Sequence, residues 1–70
     1  MKSPTWYYID GARLRSARQS KGYSQIQLAD AAGVAQSSIA NWEHDRSRIR
    51  RDSLALIAEA LDVAPDSLIQ

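Results

Sequence analysis

Cysteine is absent from this 70-residue sequence, and histidine occurs once, at His44. No disulfide can form, and no Cys/His set exists to build a zinc finger. A chain without thiols fits a reducing compartment. Long apolar runs are also missing: nothing approaches the roughly 20 residues needed to span a bilayer. The first ten residues, MKSPTWYYID, lack the apolar centre of a signal peptide. The expectation is a soluble cytoplasmic protein with no membrane partner. Repeats, low-complexity tracts and linkers are missing too, so the chain reads as one domain. A domain this short buries only about 60% of its unfolded surface, which leaves tight helix packing or a partner subunit as sources of stability.

What is present is unevenly charged. Residues 1–51 carry all nine Lys and Arg and four acids, whereas residues 52–70 carry four acids and no base. The net charge of +1 therefore hides a basic body and an acidic end. Such a chain can dock a polyanion through one face, although solvated charges distributed by chance would give a similar count.

Apolar periodicity is helical almost throughout. Asp10 suits the N-cap of a first helix with Leu14, Ala17 and Arg18 inward, and Lys21-Gly22 suits its end. Ser24 caps a second helix, QIQLADAA, which Gly33 terminates. A third runs from about Gln36 to Glu43, with Ile39 and Trp42 as its apolar stripe. Residues 45–49 read as loop. A fourth helix runs from about Arg51 to Leu61, with Leu54, Ile57, Ala58 and Leu61 at i, i+3, i+4 and i+7. Pro65 suits the first turn of a last short helix. The expected fold is all-α, about five short helices, with a possible extended stretch at residues 5–9. Residues 1–9 read as an aromatic N-terminal extension and residues 10–70 as the domain. The short glycine turn between helices two and three forces a steep crossing and leaves the outer face of helix three without an internal partner.

The order and spacing of these signals carry a resemblance. Arg18, Lys21-Gly22-Tyr23-Ser24-Gln25, Leu28-Ala29, Gly33-Val34, Ser37-Ser38-Ile39 and Trp42-Glu43 lead into Leu54, Ile57-Ala58, Leu61 and Val63. From Leu14 to Leu68 the chain resembles the Cro and phage-repressor (XRE-type) helix-turn-helix domain. Three positions depart from that pattern. Ala35 stands where a Ser or Thr cap is usual, Asp45 where glycine is usual, and Ile49 where proline is common.

The resemblance implies a lambda-repressor-like fold and a sequence-specific regulator of transcription that binds double-stranded DNA. Gln36, Ser37, Ala40 and Asn41 share the outer side of helix three. A plain solvated face is usually rich in Lys and Glu, whereas this one carries amides and a hydroxyl. Gln and Asn offer adenine N6 and N7 a donor and an acceptor together, so these four positions are the expected base readers. Arg46, Arg48, Arg50 and Arg51 fit phosphates, which need charge and tolerate varied geometry. Gln25 matches the family's phosphate-binding amide at the start of helix two. Arg18 and Glu43 match positions that commonly form a buried structural ion pair. A twofold dimer on a near-palindromic operator is implied, with Val63, Leu68 and Ile69 as its expected surface.

Simpler roles suit the remaining residues. Ile26 falls on the exposed side of helix two, where Trp6, Tyr7 or Tyr8 would cover it; these aromatics otherwise stack on bases. His44 lacks a second ligand histidine, so no metal is expected. No nucleophilic triad, paired-carboxylate pocket or phosphate-cradling glycine loop appears, so neither an enzyme nor a cofactor is expected. The alternative function is a protein-interaction or antitoxin-like module that uses the same fold without reading DNA.

Overall fold

Asp10 ends an extended segment and begins the first helix. Its side chain accepts a hydrogen bond from the Arg13 backbone N–H at 3.1 Å, one of the amides a helix start leaves unpartnered. The computed structural model describes residues 4–70. Helix α1 (Gly11–Ser20) closes at Lys21, and Gly22 follows at φ 78°. Helix α2 (Gln25–Ala32) opens on a reciprocal cap: Ser24 Oγ accepts from the Gln27 N–H, and Gln27 Oε1 accepts from the Ser24 N–H. Gly33, at φ 73°, turns the chain into α3 (Gln36–Glu43). Helix α4 (Arg51–Leu61) ends at Asp62, and a 3-10 turn at Pro65–Leu68 follows.

The core is a single cluster from every helix, including Leu14, Leu28, Ile39, Trp42, Leu54, Ile57 and Leu61, with Leu68 from the final turn. Each large side chain buried this way contributes about 1.5–3 kcal/mol. Helix α2 packs on both α3 and α4, which fixes the helix-turn-helix pair on the rest of the domain. No described helix is long and apolar enough to cross a membrane.

The aromatic segment is part of the domain rather than an extension of it. Strand β1 (Trp6–Tyr7) pairs antiparallel with β2 (Ile49–Arg50), Trp6 opposite Arg50 and Tyr7 opposite Ile49. Ile9 is buried in the core and bridges Ile69. The Asp10 N–H donates to the Leu68 carbonyl at 2.7 Å, and the Gln70 N–H to the Tyr8 carbonyl at 2.9 Å. The boundary expected between residues 9 and 10 thus falls within one continuous hydrogen-bonded segment; residues 1–3 lie outside the described chain.

Two further expectations need correction. Leu68 is 1% exposed and belongs to the core, so it offers nothing to a second subunit, whereas Val63 and Ile69 are partly buried against the core and keep some apolar surface. Ile26 remains 55% exposed; β1 lies along β2, so its aromatics do not cover that side chain.

Candidate nucleic-acid interface

Helix α3 is held from its inner side. Ile39, Trp42 and Glu43 are buried, and the Trp42 indole N–H donates to the Arg48 carbonyl at 3.3 Å. Among the described residues, Glu43 is the one buried charged side chain. Its carboxylate accepts from Arg18 through Nε at 2.6 Å and Nη2 at 3.1 Å, and from the Gln25 amide at 3.2 Å. Arg15 Nε lies 3.5 Å away. Arg18 also donates to the Tyr23 carbonyl at 2.8 Å. One carboxylate thus ties the end of α3 to α1, to the start of α2 and to the turn between them. Burial alone pushes the Glu43 carboxyl up, but hydrogen bonds from Arg18 and Gln25, the Arg18 charge and Arg15 together hold it below its ordinary value.

The end of α3 explains why aspartate works at position 45. Asp45 adopts φ 56°. Its N–H donates to the Trp42 carbonyl, and the Arg46 N–H donates to the Asn41 carbonyl, the paired bonds of a Schellman ending. Glycine would adopt that conformation more easily. It would lack the carboxylate, whose Oδ1 accepts from the Gly11 N–H at 2.9 Å. Gly11 has no alternative either: a Cβ there would stand 2.3 Å from the Glu43 carbonyl oxygen and 2.8 Å from that of Trp42. The N-terminus of α1 therefore abuts the C-terminus of α3 backbone to backbone.

On the outer side, Gln36, Ser37 and Asn41 are exposed and Ala40 is half-buried. Ala35 makes no side-chain cap, so the first turn of α3 is bonded more weakly than that of α2. Arg46, Arg48, Arg50 and Arg51 are all exposed and follow α3 directly. Gln25 is half-buried and spends one amide hydrogen on Glu43.

Some participants had no signal in the sequence pattern. Arg15 joins the Glu43 cluster, Asp45 caps a helix 34 residues away, and Trp6 lies against two arginines, each guanidinium carbon 5.6 Å from its ring centroid. Residues 45–49 read as loop in the sequence, whereas Ile49 opens β2, and nothing local names Trp6 as a neighbour of Arg48 and Arg50.

Two packed helices joined by a short glycine turn, with a neutral, amide-bearing outer face beside a basic loop, fit the class of helix-turn-helix domains. The helix-turn-helix family profile matches residues 14–68, and the chain belongs to that family. The HTH-type transcriptional regulator ImmR of Bacillus subtilis (strain 168) is 30% identical over 59 residues, 84% of this chain and 46% of that protein. The restriction-modification controller protein C.AhdI from Aeromonas hydrophila superposes with a TM-score of 0.80 at 34% identity, covering 84% of this chain and 89% of that one. The P22 c2 repressor, solved with a synthetic operator, superposes with a TM-score of 0.81 at 28% identity, covering 86% and 91%. The matched stretch spans between 12% and 56% of the curated relatives with which the chain aligns.

Proposed function

We propose that this chain is a sequence-specific, double-stranded-DNA-binding regulator of transcription that acts in the cytoplasm on the nucleoid. Helix α3 enters the major groove, α2 crosses the backbone above it, and the basic loop grips phosphates. The observation that carries this reading is the exposed face of Gln36, Ser37 and Asn41 on a helix whose other side is locked by Glu43 and Trp42. Directional amides on a rigid support suit base edges. Exposed arginines immediately after them suit phosphates. Gln25 keeps a second amide hydrogen for a phosphate while the first holds Glu43.

One domain spans about half a site, so the protein acts as a homodimer on a near-palindromic operator. The P22 c2 repressor's operator complex and the name of ImmR support the reading by kinship. The experiment is selection of bound sites from a random duplex pool, followed by analytical ultracentrifugation of protein with and without the selected duplex. The expected result is a site with two related halves, occupied by two chains. Enrichment of no sequence, with no salt-sensitive shift on any duplex, would refute it and favour the protein-docking alternative.

A further inference from the structure

Positions 48 and 50 share one face of an extended segment, and Ile49 between them is fully buried. Trp6 lies directly opposite Arg50 in the strand pair. The guanidinium carbons of both Arg48 and Arg50 stand 5.6 Å from the Trp6 ring centroid, within the range of cation–π attraction. The indole is 46% exposed, so it is not a core residue with incidental neighbours. The backbone beneath is fixed at two points: the Arg48 carbonyl accepts from the Trp42 indole, and the Arg51 N–H donates to the Thr5 carbonyl at 2.8 Å.

We propose that Trp6 is a positioning residue for DNA contact: its ring holds the Arg48 and Arg50 side chains extended before a phosphate arrives. This rests on the DNA-binding reading above. An arginine free in solvent loses rotamer freedom when it grips a phosphate. A guanidinium lying over an aromatic ring has given up much of that freedom already. The ring attracts the cation's charge without supplying an oxygen acceptor, so the guanidinium N–H donors stay available to phosphate oxygens. Preorganisation of this kind raises affinity without adding a contact. The competing partner is weak. Asp52 lies 3.7 Å from Arg50, but both side chains are more than half exposed, and water screens such a pair.

The test uses the full chain, the selected duplex and an unrelated duplex of equal length. Trp6→Leu keeps an apolar side chain on the strand but removes the π face; Trp6→Phe keeps a π face. Trp6→Leu is expected to weaken binding about five- to tenfold on both duplexes, with base preferences and salt slope unchanged because the same arginines still engage. Trp6→Phe should recover most of the loss. In an Arg48→Ala/Arg50→Ala background, Trp6→Leu should cost nothing further. Without DNA, the side-chain protons of Arg48 and Arg50 should lose their ring-current shift in Trp6→Leu, a readout that fold stability alone does not move. Wild-type-like affinity of Trp6→Leu, an equal loss in the arginine-free background, or unchanged ring-current shifts would each overturn the positioning role. Wild type that binds no duplex would instead overturn the DNA reading and the proposal with it.

Discussion

Removing Glu43 would strand a cation. The Arg18 side chain is 12% exposed and its guanidinium is aimed at that carboxylate. Glu43→Ala is expected to cost about 3–5 kcal/mol, enough to lower the melting temperature of so small a domain by more than about 10 °C. A thermal melt that stays within a few degrees of wild type would contradict this. The same group sets an acid limit. Its folded carboxyl titrates below the ordinary 4.5, so its stabilisation is fully present above about pH 4.5 and is lost as pH falls through the folded value. Melting temperatures between pH 7 and pH 3 should fall at the acid end, and Glu43→Gln should flatten that fall. Gln36 is exposed and, on the proposed DNA-binding reading, contributes to binding rather than to folding. Gln36→Ala should cost about 1–3 kcal/mol on the selected site and little on unrelated DNA, and should relax preference for adenine at one half-site position. A competition assay with every base substituted in turn reads this directly.

Helix ends are where local chemistry spoke most clearly. The bounds of α2, α3 and α4 coincide with those read from the sequence because Ser24, Gly33 and the apolar spacing of Leu54, Ile57 and Leu61 act within a few residues of themselves. The strand pair was half legible: residues 5–9 looked extended, but their partner lies more than forty positions away, and periodicity carries no information about that distance. The exposed polar side of α3, proposed to read bases, was legible as an unpartnered face, whereas the contacts of Arg15 and Asp45 depend on which helices meet and those of Trp6 on which strands pair. Two substitutions probe the elements themselves. Ala35→Ser adds the missing cap to α3, since the backbone at position 35 is already extended at φ −73° and ψ 144°. It should stabilise the domain by about 1 kcal/mol in urea denaturation. Gly11→Ala forces a methyl against two carbonyl oxygens and should destabilise it by about 3 kcal/mol or more. Because those carbonyls belong to α3, the same change should also displace the helix that carries Gln36.

For the molecule as a whole, the proposed encounter with DNA is governed by charge. If the proposed dimer makes roughly four phosphate contacts per subunit, it releases counterions from about eight phosphates, so log affinity should fall against log salt with a slope near −7. Arg51→Ala should flatten that slope by about one unit per subunit and weaken all sequences alike; a loss confined to one base position would make Arg51 a base reader instead. Fluorescence anisotropy across a salt series distinguishes the two. The segment at residues 5–10 has a different consequence. It is bonded through Thr5 to Arg51, and through Tyr8, Ile9 and Asp10 to residues 68–70, so it laces an early stretch of chain to a late one. Contacts across so long a stretch of chain carry a large loop-closure cost, so they are expected to form late on the folding route. Read in reverse, the lacing acts as a clock. The amide hydrogens of Asp10, Arg51 and Gln70 should exchange with solvent at one common rate if the lace opens as a unit. Any treatment that quickens all three should also loosen the arginine stretch, so that exchange at these amides reports on grip as well as on fold.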